Sequence, residues 1–364
     1  MRKLSLALTI VAVLASACTS STQSALVSPK TSPSASPTAA APTELCFTEP
    51  PADWALAMSH VIATLDDVNF SVGAVDEQHG MAFGGAWMSS RQVIASVDLT
   101  TGRMTEIAPM SPNGFGWMTY GSDWLVWPQT GHGGSSIQLW NSRTQERRQI
   151  ATSGPAGTAV VGSGDVIWTE AVSGTADVLR LYELATGKTA TLDSGLLRSP
   201  VFAGKYLVWA KQMSSADNLS VVFADPVTLR PAEPPAELRA PREISNLAGS
   251  ADYLVWTATP ASSPNSGIWF VDDLAVGIIR TYGARNHYFQ FPQLAGPFLV
   301  WFGADKNSVV DLRSAIGIDI PLPGGVEAAS DTIVVDRVST LKGNVNRTDV
   351  SVLHPSQLSP LQTC

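Results

Sequence analysis

Gly204-Lys205-Tyr206-Leu207-Val208-Trp209 is the stretch that decides the fold, because its last four residues return along the chain. The same aliphatic or aromatic lead into Val-Trp or Ile-Trp occurs as Asp123-Trp124-Leu125-Val126-Trp127, Asp165-Val166-Ile167-Trp168, Tyr253-Leu254-Val255-Trp256 and Phe298-Leu299-Val300-Trp301. Extended to Trp87, and to Val335 in Asp331-Thr332-Ile333-Val334-Val335, the anchors step by 40, 41, 41, 47, 45 and 34 residues. A period of this length marks a repeat protein whose every unit is one supersecondary motif.

After each anchor comes a loop, then an alternating run that ends in a turn, as at 93–107, 137–150, 179–192 and 268–282. Thr101-Gly102 and Thr186-Gly187 sit where a hairpin needs a residue with positive φ. Before the anchors lie short apolar segments with glycine, such as Val201-Phe202-Ala203-Gly204. Each repeat therefore holds about four short strands, and four-stranded units stacked radially make an all-β fold, the β-propeller. Seven anchors predict seven four-stranded blades, or six if Trp87 or Val335 lies outside the repeat. A side chain recurring once per blade at one strand position fills the gap between neighbouring blades, so the anchor tryptophans read as core and not as a sugar-stacking platform. Trp117, Trp124, Trp140 and Trp269 lie off the anchor and are less determined.

The phrase Gly-x-Tyr-Leu-Val-Trp (204–209), with Leu181-Tyr182-Glu183-Leu184-Ala185-Thr186-Gly187-Lys188, resembles the periplasmic TolB-type and related WD-repeat-like propellers of bacterial surface proteins. The resemblance covers residues from about 70 to the end and implies the fold; the Ser-Pro-Asp-Gly turn of the TolB repeats is absent.

The N-terminus speaks to location. Arg2 and Lys3 precede an apolar run from Leu4 to Ala15, about twelve residues against the roughly 20 needed to cross a hydrocarbon core, so it reads as an export signal. Leu14-Ala15-Ser16-Ala17-Cys18 resembles a bacterial lipobox; the alternative is a plain secretory signal ending near Ala17. The resemblance implies lipidation of Cys18, with two or more acyl chains giving stable anchoring, on the extracytoplasmic face of the cell membrane, an outer membrane being the other destination. Thr19 to Thr43 is Ser, Thr, Pro and Ala with little else, too polar and too small to bury a core, and reads as an extended tether. The expected organisation is a signal peptide at 1–17, a lipidated tether at 18–43, an N-terminal segment with a short helix at 44–69, and the propeller at 70–364. In the helix, Trp54, Met58, Val61, Ile62 and Leu65 fall at helical spacing with Asp53 as N-cap, and it packs on the ring.

Cys46 and Cys364 bracket the folded part, and in an oxidising compartment the economical reading is a disulfide that ties the ends and helps close the ring. The net charge of −8 becomes −10 once Arg2 and Lys3 leave with the signal, which argues against nucleic acid as a partner.

No nucleophile elbow, zinc-protease helix, phosphate loop or Cys-x-x-Cys pair occurs, so no catalytic residues, no metal set and no cofactor are assigned. The acidic pairs Asp66-Asp67 and Asp272-Asp273 are not ready two-carboxylate sites, since adjacent strand residues point to opposite faces, and they read as solvated turn positions. The candidate ligand or partner face gathers Arg285, His287 and Tyr288 between the fifth and sixth anchors, His132 after Trp127 and Lys211 after Trp209, a cationic and aromatic spot on an acidic protein. Two functions remain: a lipid-anchored, non-catalytic binding or scaffolding module engaging a protein or cell-wall partner, or a glycan or small-molecule enzyme of lyase or glycosidase type in the central channel. No oligomeric state is read from the sequence.

Overall fold

The computed structural model describes residues 43–364 except 112–116, 132–133, 163, 174–175, 199, 213–218, 236–243, 245, 259–265, 286–289, 303–305, 322–323, 342–344 and 363. Within it the repeats form seven antiparallel sheets, the blades of a propeller. Blade 1 has the strands Val68–Asp76, Met81–Met88, Arg91–Asp98 and Met104–Pro109. Blades 2 and 3 repeat the meander from Thr119–Gly121 to Arg147–Ala151 and from Ala156–Val161 to Thr189–Gly195. Blade 4 shows three strands among the described residues, Val201–Ala203, Tyr206–Gln212 and Leu219–Ala224. Blade 5 runs from Leu247–Gly249 to Ile278–Arg285, blade 6 from Gln290–Ala295 to Ile316–Pro321, and blade 7 from Gly324–Ala329 through Thr332–Leu341 to Val345–Leu353.

Six of the seven anchors do what the repeat predicts. Each lies on the second strand of its blade with its side chain against the preceding blade: Trp127 packs with Phe83 and Ile94 of blade 1, Trp209 with Leu179 and Leu181 of blade 3, and Val335 with Val300 and Val309 of blade 6. Trp87 is the exception. It is partly buried and packs with Phe83, Leu125 and Trp127 towards the following blade, because the alternation of side chains along a strand puts odd-numbered residues of Met81–Met88 on that face. Ala82 and Ala86 face blade 7 instead. Blade 1 is thus a true blade whose tryptophan is out of phase with the others.

The ring closes by strand pairing as well as by the disulfide. Val61–Asp66 runs antiparallel to Val345–Leu353 and becomes the outermost strand of blade 7, so the N-terminal segment completes the last blade. This corrects the helical reading of Val61, Ile62 and Leu65. The helix covers Ala52–Ser59 only, starts after Pro51 without a side-chain cap, and places Asp53 in its first turn. Its buried face, Trp54 and Met58, packs under blades 6 and 7 as expected, with the Trp54 ring centroid 5.6 Å from that of Phe298 and its indole N–H donating to the Ser359 carbonyl at 2.8 Å. Upstream, Thr43–Glu44 and Cys46–Thr48 add parallel strands to the outer edges of blades 5 and 6. Cys46 and Cys364 stand with Cα atoms 6.4 Å apart and tie the two ends. Asp272, expected in a solvated turn, is fully buried on the third strand of blade 5. No helix among the described residues is long and apolar enough to cross a membrane.

Candidate functional site

One register recurs in blades 2 to 7. The residue eight places before each anchor pairs with the residue just before that anchor: Thr119 with Val126, Val160 with Ile167, Val201 with Val208, Ala248 with Val255, Gln293 with Val300 and Glu327 with Val334. All six lie on innermost strands, and all six line a cavity of about 960 Å³ to which the innermost strands of all seven blades contribute. The cavity is the central channel of the ring, a usual place for a ligand because it is concave and built from rigid elements.

The wall is mostly apolar, with Val160, Val201, Phe202, Leu247 and Pro292, and a few polar groups converge on it. Midway along it, the Gln293 amide donates to Glu327 Oε2 at 2.7 Å while its carbonyl accepts the Ala328 N–H at 2.7 Å, which fixes the amide's orientation. Burial pushes the Glu327 carboxyl well above the usual range, and the nearby Asp336 charge adds to it, both favouring the protonated form. Asp336 itself is pushed up to about 6 by burial. It accepts the Gly325 N–H at 3.1 Å and the Val72 N–H at 3.4 Å. A Cβ at position 325 would sit 2.4 Å from Asp336 Oδ1, so only glycine admits the carboxylate there.

The two ends of the channel differ in charge. Arg198 and Asn246 line it just ahead of the innermost strands of blades 4 and 5, whereas Glu77, Asp252 and Asp331 follow the innermost strands of blades 1, 5 and 7. Innermost strands of a propeller all run in one direction, so the cation and the carboxylates occupy opposite mouths. Arg198 makes no ion pair among the described residues. Tyr120 also lines the channel; its hydroxyl lies 2.9 Å from Ser142 Oγ, and burial raises its pKa.

The residues expected to form a recognition face are distributed differently. Lys211 pairs with Asp193 of blade 3, whose other oxygen accepts the Trp209 indole N–H at 2.9 Å. Burial alone would raise Asp193, and these bonds, with the Ser194 N–H and the Lys211 charge, outweigh it and hold the carboxyl below its ordinary value. Lys211 therefore clamps blade 4 to blade 3 and does not line the channel. Arg285 ends the outer strand of blade 5, opposite Ser266; its side chain, with His132, His287, Tyr288 and the lipidation candidate Cys18, lies outside the described residues. The sequence reading passed over Gln293, Glu327 and Thr119, although their constant offset from the anchors was available; Arg198, Asn246 and the acidic mouth carry no such signal.

No protein-family model and no curated protein sequence matches the chain. Solved structures do. An oligogalacturonate lyase in complex with manganese is similar over 80% of this chain and 91% of its own, at 12% identity and a TM-score of 0.54. A prolyl endopeptidase is similar over 83% of this chain and 48% of its own, at 12% identity and a TM-score of 0.57. A puromycin hydrolase variant is similar over 86% of this chain and 55% of its own, at 11% identity and a TM-score of 0.52. At these identities the likeness shows the propeller fold and nothing finer.

Proposed function

We propose that this chain is a lipid-anchored, extracytoplasmic binding module that takes a small ligand, or the end of a wall polymer or partner chain, into its central channel. The observation that carries the reading is the channel itself: about 960 Å³ of rigid, largely apolar space with convergent polar groups from several blades. The N-terminal apolar run, the Cys18 lipobox and the Ser/Thr/Pro/Ala tether support a ring held off a membrane surface and able to reach wall material. The absence of linear catalytic motifs favours binding over turnover.

The second reading is an enzyme of lyase or glycosidase type, and Glu327 favours it, since a carboxyl whose pKa is raised by burial is suited to general-acid work. A chain named as an oligogalacturonate lyase shares this ring over most of its length. One experiment separates the two. The detergent-extracted protein is screened by thermal shift against wall glycans, peptides and acidic sugars, and hits are titrated into wild type and Arg198→Ala/Gln293→Ala. Saturable binding that weakens at least tenfold in the variant, with the ligand recovered intact, is the expected result. A hit converted to product by wild type and spared by Glu327→Gln selects the enzyme, and a hit bound equally by the double variant removes the channel as the site.

A further inference from the structure

The seam between the first and last blades is held by hydrogen bonds between residues far apart in sequence. Thr348 of blade 7 donates to the Val68 carbonyl at 2.8 Å and accepts the Phe70 N–H at 2.9 Å, and Asp336 reaches Val72. At the acidic mouth of the channel the same seam brings three potential metal donors together. Glu77 lies in the turn after the innermost strand of blade 1, Asp331 in the matching turn of blade 7, and His354 directly after Val345–Leu353. One donor atom from each lies within 4.8 Å of the other two. The three come from separate segments, so a single local turn does not account for their meeting.

Each donor is held from behind. Asp331 accepts the Ser356 N–H at 3.2 Å and the Ser356 hydroxyl, and its own N–H donates to Glu77 Oε2 at 3.3 Å. His354 Nδ1 lies 3.4 Å from Thr332 Oγ1, a contact that helps to fix the imidazole ring. Support of this kind, behind the ligating atoms, is what orients metal ligands. Neither carboxylate has a Lys or Arg partner among the described residues, whereas Asp193, Asp311 and Asp319 each have one. Two carboxylates this close repel each other, and a cation between them removes the repulsion.

We propose that Glu77, Asp331 and His354 bind one divalent cation of the Zn²⁺ or Mn²⁺ class, bridging blades 1 and 7 at the channel mouth. The donor set decides the class: one imidazole nitrogen with two carboxylate oxygens suits a borderline cation, while Ca²⁺ and Mg²⁺ prefer oxygen alone and more of it. Three protein ligands leave coordination positions for water or a ligand oxygen, and two of the three, Glu77 and Asp331, line the channel. A cation that binds only the folded seam stabilises the ring by mass action. The site stands whether or not the channel takes a ligand.

The test uses the whole detergent-extracted, chelator-stripped chain, titrated calorimetrically with Zn²⁺, Mn²⁺, Ca²⁺ and Mg²⁺, one at a time. The expected result is one equivalent of Zn²⁺ or Mn²⁺ bound more tightly than Ca²⁺ or Mg²⁺, with a rise in Tm of several degrees. Glu77→Gln and His354→Ala, each with an unaltered metal-free Tm, weaken binding at least tenfold. Pulsed electron paramagnetic resonance of the Mn²⁺ form of the wild type reads an imidazole nitrogen on the metal, which a merely structural His354 would not give, and it stands even if a variant misfolds. Absence of saturable binding, a preference for Ca²⁺ or Mg²⁺, no nitrogen coupling, or wild-type affinity in a folded variant overturns the proposal.

Discussion

At the residue scale, the buried acids beside the channel set a pH dependence of known sign. Asp336 loses its proton near 3.8 in the unfolded chain and near 6 in the folded one, with burial as the cause. Its contribution to stability is therefore complete below about 3.8 and is lost as pH rises through about 6. Glu327, raised by burial beside it, acts in the same direction. Glu170 acts in the opposite one: burial alone would raise it, but the Ser153 bonds, with Arg180 close by, hold it low, so its contribution is lost in acid. Glu327→Gln keeps an oxygen to accept from Gln293 and removes the titration. The difference in Tm between this variant and wild type should widen in the variant's favour from pH 4 to pH 8. Scanning fluorimetry across that range checks it, and parallel curves would count against a neutral buried Glu327.

At the scale of the element, one turn serves six blades. In each, the fifth residue has positive φ and its N–H donates to the carbonyl of the first: Gly102 to Asp98, Gln145 to Asn141, Gly187 to Glu183, Leu229 to Asp225, Gly277 to Asp273 and Ala315 to Asp311. Where the first residue is Asp or Asn, its side chain caps the turn, in five blades: Asp98 accepts from Thr100 and Thr101, Asn141 from Arg143 and Thr144, Asp225 from Val227 and Thr228, Asp273 from Ala275, and Asp311 from Arg313. The sequence showed two of these turns through Thr-Gly. Gln145, Leu229 and Ala315 hid three others, since a residue with a Cβ gives no local sign that it will adopt φ of 62°, 57° or 61°. A left-handed conformation costs a non-glycine residue about 1–2 kcal/mol, of which glycine's extra chain entropy returns part. Gln145→Gly should therefore raise the unfolding free energy by about 0.5–1 kcal/mol in chemical denaturation, whereas Gly187→Ala should lower it.

At the scale of the whole molecule, the ends are fastened twice, by Val61–Asp66 in blade 7 and by Cys46 with Cys364 across 318 residues. A cross-link of that span contributes up to roughly 5 kcal/mol on the chain-entropy model. Cys364→Ser should keep the ring, because strand pairing closes it, and should melt well below the wild type; circular dichroism and thermal unfolding with and without reductant check both halves. A variant that melts like the wild type would show that the strand carries the closure alone.

What the sequence determined by itself was the repeat: all-β, six or seven units, of which the structure has seven, and an anchor between blades. That information is written inside each 40-residue unit, because a blade buries its hydrophobic face only against its neighbours. Even there Trp87 misled, since spacing counts residues and does not show which face of the strand a side chain takes. The channel and the seam were decided by the tertiary structure. Every blade contributes to the channel from its innermost strand, as with Gln293 and Glu327, and Glu77 meets Asp331 across 254 positions only when blade 7 returns to blade 1. Contacts of that kind have no period, because they exist only once the ring is closed.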